Sequence, residues 1–415
     1  MKTKLGMSAI ALAALMLAGC GDDGSSGGNG PSGNDVVRDK TITGVAQKGP
    51  FVDSSVVIVR ELDSSALTQT GRSFQGQVMG GRGRFTVSGV PLVSRYALLE
   101  ANGRYWNENT GARSNDAITL NALVDLSERE NVNINLLTHL ESERALHLVS
   151  SGMGFAAAKK QAEQEVFKAF GVTGEFANSE ELDILAKGEG DAALLAISAL
   201  MQGDLSGAAL AERLADFVDD IKRDGKWDDA TSKVQMADWA NKANLAAIRA
   251  IVEGWSAGGD VPAFERFVKA FWWNEYGLGN CSISNKGEIK QDANSLSVNH
   301  GVSYICNAGD WREASVRECD TYGWNAEPDG NVKKGQITEA LYKYDSLQAQ
   351  WIAANAFDTS LGLNGCTRKR SLEVDKGVDN AYYICRNGQW ETATIVEYDT
   401  YGWNAEADGM LYTMN

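Results

Sequence analysis

Residues 382–397 read YYICRNGQWETATIVE, two short runs rich in Tyr, Ile, Trp and Thr on either side of an Asn-Gly pair. Asn-Gly accepts positive φ at both turn positions at little steric cost, so the stretch predicts a tight β-hairpin with Trp390 on the returning strand. Residues 303–318, SYICNAGDWREASVRE, spell a second version. Aligned on their tryptophans, Trp311, Trp351 and Trp390 are 40 and 39 residues apart, each with a tyrosine seven before (Tyr304, Tyr344, Tyr383) and an alanine three after (Ala314, Ala354, Ala393). Asp-Thr follows at 320–321, 358–359 and 399–400. A period near 40 held through three copies marks an internal repeat of one supersecondary unit, so residues 277–415 are expected to form a run of β-hairpin modules.

The other end indicates the compartment. MKTKLGMSAIALAALMLAGC carries Lys2 and Lys4, an apolar run from Met7 to Leu17, and then Leu17-Ala18-Gly19-Cys20. That is the layout of a secretory signal, with an apolar run too short for a permanent membrane span. Leu-Ala-Gly-Cys resembles the lipobox of bacterial lipoproteins, which implies loss of residues 1–19 and acylation of Cys20. An anchor of several acyl chains exceeds the marginal affinity of a single one and keeps a protein on its membrane. By the same resemblance Gly21 implies the outer rather than the inner membrane, and Asp22-Asp23 is similar to short acidic signals for the cell surface. A surface location is expected, with the periplasmic face as the alternative. Residues 20–40 are Gly, Ser, Asn and Asp with little to bury, a flexible tether.

The formal net charge is −16, and it becomes more negative once Lys2 and Lys4 leave with the signal. Such a surface repels phosphate backbones, so nucleic acid is excluded as a partner; neutral polysaccharides, cations and basic proteins are not. Apart from Cys20, every cysteine lies in the last third, where export permits disulfides. Cys306 and Cys385 hold equivalent places on the incoming strand, with Ser346 there in the middle copy. YGLGNC and LGLNGC bring Cys281 and Cys366 into correspondence. The expected bonds are Cys281–Cys306 and Cys366–Cys385, each stabilising its module by about 3 kcal/mol. Cys319, where the later copy has Tyr398, is left unpaired. With no C-x-x-C pair and only His139, His147 and His300, no zinc site and no cofactor are expected.

Between the two ends the pattern changes twice. Residues 41–126 hold short runs (TITGVAQKGPF, SSVVIVREL, GRFTVSGV, YALLEANG, AITLNALVDL) separated by Gly, Asn and Asp, which predicts a β-sandwich. Residues 127–276 turn helical: NLLTHLESERALHLV has one apolar face, AAAKKQAEQEVFKAF consists of strong helix formers, and DAALLAISALM is apolar nearly all round, as a buried central helix would be. Asn178 or Ser179 is expected to cap a helix beginning at EELDIL. The chain as a whole reads as multidomain α+β: N-terminal β-sandwich, central α-helical domain and C-terminal disulfide-stapled β-hairpin repeats.

Two resemblances bear on function. GVAQKGPF, SVVIV, GRFTV and YALLEANGRYWNE in that order resemble the carboxypeptidase-regulatory or transthyretin-like sandwich, which implies a fold and no chemistry. LTQTGRSF, NVNINLLTHLESERALHLV and YICRNGQWETATIVEYDTYGW resemble a family of paralogous surface lipoproteins of fibre-degrading anaerobic gut bacteria, which implies contact with plant-cell-wall material. Seven of the eleven tryptophans lie beyond residue 270. TYGWN occurs twice, and Trp324 and Trp403 with Tyr322 and Tyr401 are the candidate sugar-stacking residues, while Trp311, Trp351 and Trp390 read as module core. NAEPDGNVKKGQ and NAEADGMLYTMN begin like calcium loops, but Gln336 and Asn415 stand where the bidentate glutamate is required, so an Asp-Gly turn is expected instead. Gly254-Trp255-Ser256-Ala257-Gly258 fits a hydrolase nucleophile elbow in letters, yet a helical run precedes it and the only later histidine is His300. The expected function is therefore non-catalytic: a lipid-anchored envelope protein that binds or adheres, its target a plant-cell-wall polysaccharide, with a structural envelope protein contacting other proteins as the alternative and a Ser256 hydrolase third.

Overall fold

In the computed structural model, which describes residues 39–402 except 128, 257, 356 and 361, the first region is built from strands that alternate buried and exposed side chains. They are β1 (Lys40–Gln47), β2 (Val56–Leu62), β3 (Gln69–Val78), β4 (Arg84–Val90), β5 (Tyr96–Gly103) and β6 (Ile118–Asp125). Val57, Val59, Ala97, Leu99, Leu120 and Ala122 point to one interior, as period-two patterning requires. The short β7 (Ile134–Asn135) lies beyond the expected boundary at 126/127 yet pairs in parallel with β1, so one hydrogen-bonded sheet runs β6-β5-β2-β3-β4-β1-β7.

Asn135 then caps α1 (Leu136–Ser150): its side chain accepts the Thr138 N–H while the Thr138 hydroxyl accepts the Asn135 N–H, a reciprocal capping box. α2 (Phe155–Ala169) follows. The expected helix at EELDIL does not form beyond a single turn at Ser179–Glu181. Beyond Leu182, two successive backbone donors are taken by side chains, Asp183 N–H by Asp191 at 2.9 Å and Ile184 N–H by Gln47 at 3.1 Å, which interrupts a helical ladder. α3 (Glu189–Gln202) is buried along its whole length from Gly190 to Gln202, as its composition predicts. α4 (Gly207–Asp224), α5 (Ala230–Lys242) and α7 (Glu265–Glu275) pack against it, and α6 (Leu245–Trp255) contributes Ile248 and Val252 to the same core. Among the described residues no single helix is long and apolar enough to cross a membrane.

Sheet and helices share one hydrophobic core, continuous from Ile42 through Leu194 and Phe271 to Trp311. At its centre sits an ion pair between Lys48 and Glu108, both side chains fully buried. The Ser198 hydroxyl lies 2.6 Å from both Glu108 Oε1 and the Lys48 carbonyl. The contact joins the loop after β1, the loop after β5 and α3. Gly49 permits it, because a Cβ there would sit 1.9 Å from the Trp106 carbonyl oxygen. Burial pulls the Lys48 pKa below the usual lysine value against the opposing pull of Glu108.

The tail contains three copies of a three-stranded antiparallel sheet closed by a short helix. They are β8 (Ile289–Gln291), β9 (Ser303–Cys306), β10 (Trp311–Glu313) and α8 (Val316–Asp320); β11 (Val332–Lys334), β12 (Leu341–Asp345), β13 (Gln350–Ala353) and α9 (Phe357–Ser360); β14 (Val374–Lys376), β15 (Tyr382–Arg386), β16 (Gln389–Thr392) and α10 (Ile395–Thr400). The Asn-Gly hairpin is as expected, with Asn387 and Gly388 both at positive φ. The first module is welded to the helical layer: Ser297 donates to Asp238 at 2.7 Å, and Asn241 donates to the Tyr304 hydroxyl at 2.9 Å. The second and third modules have small cores of their own.

Breaking the buried pair on one side should be costly. Glu108→Leu, which strands the Lys48 ammonium, is expected to lower the free energy of denaturant unfolding by about 3–5 kcal/mol, and Lys48→Met added to it should restore most of that loss. A double variant as unstable as the single one would show that the pair does not couple sheet to helices.

Candidate functional site

Each module is organised by its tryptophan. The indole N–H donates to a backbone carbonyl of the segment leading into the module: Trp311 to Gly279 at 2.8 Å, Trp351 to Asn325 at 3.2 Å and Trp390 to Asn364 at 2.9 Å. All three rings are buried, and a cation lies over each: Lys290, Lys333 and Arg370. Opposite the tryptophan on the neighbouring strand stand Cys306, Tyr344 and Cys385. Both expected disulfides are present, Cys281–Cys306 and Cys366–Cys385, and Cys319 is free.

The middle module departs from the sequence alignment. Ladder register places Tyr342, not Tyr344, beside the equivalents Tyr304 and Tyr383, and Tyr344, not Ser346, in the cysteine position. Its hairpin is two residues longer, which the constant Tyr-to-Trp spacing concealed. Where the flanking modules hold a disulfide, this one holds an aromatic cluster. Trp324 packs edge-on against Trp351 with ring centroids 4.8 Å apart, and Tyr344 lies 5.4 Å from the same ring. Trp324 precedes the carbonyl-bearing Asn325 just as Leu278 and Leu363 precede Gly279 and Asn364, so it occupies a core position. The candidate sugar platform Trp324 is thus half-buried, with Lys333 over its ring. Tyr322 and Tyr401 are exposed, at 46% and 48%. Trp403 and Cys20 lie outside the described residues.

Aspartates join the modules. The fully buried Asp320, from the Asp-Thr after the first module, accepts the backbone N–H groups of Ile337 and Thr338 and the hydroxyls of Thr338 and Tyr342. Burial pushes its pKa up, but these donors prevail and hold it at about 2. Asp358 repeats the device one module on, taking the N–H groups of Cys366 and Asn355 and the ammonium of Lys343 at 3.0 Å. Lys343 also donates to the Gly388 carbonyl at 2.8 Å, reaching the hairpin tip of the third module. The backbones meet where Gly365 N–H donates to the Gly330 carbonyl at 2.7 Å, and a Cβ on Gly365 would lie 2.6 Å from the Lys343 chain. Above this joint is a polar groove of about 510 Å³ lined by Asp345, Gln348, Arg368, Ser371, Asn387 and Gln389. Sequence reading missed it, since its residues come from two modules and none belongs to the shared repeat pattern.

Other sequence candidates are used locally. In the first calcium-like loop Glu327 binds Lys333 and Asn331, and Asp329 binds Thr367 and Ser346 N–H, so these carboxylates do not converge on a cation. Ser256 ends helix α6; its hydroxyl donates to the Asp260 carbonyl and accepts the Gly258 N–H, both at 3.3 Å, and neither partner is an imidazole. The closest approach to a metal cluster among the described residues is Glu141, Glu163 and Glu180, whose oxygens lie within 4.8 Å of one another. Lys159 already pairs with Glu141 and, at 3.3 Å, with Glu180, so an ammonium stands in the cation position. A cleft of about 490 Å³ beside the half-buried Trp239, with Arg213, Asp204 and Lys242 on its rim, had no sequence signal beyond an ordinary helix. His139 and His147 do not act as a pair. His139 lines a cleft with Glu143 and Asp219 and accepts the Asn121 N–H at 3.3 Å, and burial pulls its pKa from 6.5 down to about 4 despite Glu143.

Two outcomes follow. Trp324→Ala should destabilise the middle module by about 3 kcal/mol, the low end for a large aromatic because the ring is half-buried, and Trp324→Leu should recover more than half of that in denaturant unfolding. A neutral His139 binds its proton more weakly folded than unfolded, so stability should be complete above about pH 6.5 and fall as pH drops to about 4. His139→Gln should flatten that window and leave the loss that Asp320 contributes as pH falls from 3.8 to about 2. Comparison with protein-family models, with curated proteins and with solved structures returns no match, so fold and site rest on this chain's own geometry.

Proposed function

We propose that this chain is a lipid-anchored envelope protein that binds a polysaccharide of the plant cell wall without transforming it. In this reading Cys20 carries the anchor at the outer membrane, residues 20–40 are the tether, a β-sandwich (41–126) and a helical domain (127–276) form the base, and residues 277–415 make the contact. The observation that carries it is the array of three β modules locked by Asp320, Asp358 and Lys343, with a polar groove between the second and the third. Rigid β modules suit a repeating polymer because they need little ordering on contact, and binding free energy is not spent on folding. Exposed Tyr322 and Tyr401 add flat rings on the same array. The acidic surface favours a neutral glycan over a polyanion.

One observation favours the alternative of an assembly protein that contacts other proteins. The short helices that close the three modules display Val316, Phe357 and Ile395, each more than half exposed, at nearly the module period. Co-sedimentation of the full chain with insoluble cellulose and xylan separates the two readings. The proposal expects retention that survives high salt, as contacts to a neutral polymer are weakly screened, and membrane association abolished by Cys20→Ala. No retention on either polymer, together with cross-linking to an envelope protein that is lost on Val316→Asp with Ile395→Asp, would replace it with the assembly reading.

A further inference from the structure

Asp345 is fully buried at the end of β12, and its two oxygens have different fates. Oδ1 accepts the N–H groups of Leu347 and Gln348 at 3.0 and 3.1 Å, which shapes the hairpin turn; Oδ2 has no hydrogen-bond partner. A buried carboxylate oxygen without a donor is costly and uncommon in a folded protein. Asp345 lines the groove between the second and third modules, and Arg368 lines the same groove with a guanidinium that makes no hydrogen bond or ion pair among the described residues. Lys343, the other cation there, is already held by Asp358 and the Gly388 carbonyl. The residues that carry one unmatched acceptor and one unmatched cationic donor thus line one groove, together with Asn387 and Gln389.

We infer that this groove is a saccharide subsite in which adjacent hydroxyls of a neutral sugar bridge Asp345 and Arg368, one hydroxyl donating to Oδ2 and its neighbour accepting from the guanidinium. The inference rests on the polysaccharide-binding reading above and assigns it a location and a chemistry. Other ligand classes fit less well. A divalent cation requires six to eight oxygens, and the groove has one free carboxylate facing an arginine. A phosphate or uronate would face the Asp345 charge within a chain of net charge −16. An apolar ligand would leave the carboxylate, the guanidinium and two amides unpaired. A polyhydroxylated neutral ligand satisfies all of them, and a groove of about 510 Å³ lies within the range of about 300–1,000 Å³ usual for ligand clefts.

Titration calorimetry of the full chain with cellohexaose, xylohexaose, hexagalacturonate, inorganic phosphate and calcium chloride tests this. Asp345→Asn keeps an acceptor for the turn N–H groups and replaces Oδ2 by a donor, and Arg368→Ala changes an exposed side chain. Each is expected to weaken binding of a neutral hexasaccharide at least tenfold, with the thermal midpoint of unfolding unchanged for Arg368→Ala. Galacturonate, phosphate and calcium should give no heat that depends on either residue. Neutral oligosaccharide binding that is untouched by both variants would overturn the groove and leave the broader reading standing. No binding of either neutral oligosaccharide by the wild-type chain, with no retention on cellulose or xylan, would overturn both. Phosphate, galacturonate or calcium binding lost in the variants would show that the groove takes an ion instead.

Discussion

The buried pair of Lys48 and Glu108 is the constraint on which the larger part of the molecule depends. An ammonium and a carboxylate removed from water are tolerated only when each neutralises the other, and here Ser198 on the central helix adds a third group at Glu108 Oε1, while Glu108 Oε2 makes no hydrogen bond. Because the partners come from two loops of the sheet and from α3, the pair fixes how the helical layer sits on the strands. The hydrophobic core around it is non-directional and would accept several arrangements; the ion pair accepts one. The single core that follows carries the first module as well, through Tyr276 and Tyr304.

The modules show two physical solutions to one problem. A three-stranded sheet of this size buries too little apolar surface to stand alone. In the first and third modules a disulfide supplies the missing constraint; in the second, Trp324, Trp351, Tyr342 and Tyr344 supply it by aromatic packing. What stays constant is the indole N–H bonded to the lead-in carbonyl and the cation above the ring, which tie each module to the segment before it. TYGWN at 321–325 is therefore the lead-in to the second module, and Trp324 takes the place that leucine holds in the other two.

The module joints are polar and closed by specific partners, in contrast to the apolar joint between sheet and helices. Buried aspartates at Asp320 and Asp358 take backbone donors of the next module, which sets spacing and orientation together. A groove between two such joined modules keeps its shape without a ligand, and unmatched polar groups within it are the expected mark of a place where something else supplies the match.

Local chemistry made several features legible in the sequence alone: strand alternation at Val57 and Val59, the nearly all-apolar helix at 192–201, the Asn-Gly turn, the threefold repeat and both cysteine pairs. Each is governed by neighbours within one element, or by copies of one element that can be compared with each other. Trp403 and Cys20, with the signal expected before it, lie outside the described residues and rest on sequence alone. Only the tertiary structure decided that Trp324 turns inward, that Tyr344 replaces a cysteine, that EELDIL stays unwound and that Asp345 and Arg368 share a groove. In every one of those cases the deciding partner comes from a different element (Trp351, Gln47 and Asp191, or the third module), and such pairings depend on where the chain has been carried by folding, which spacing along one sequence does not encode.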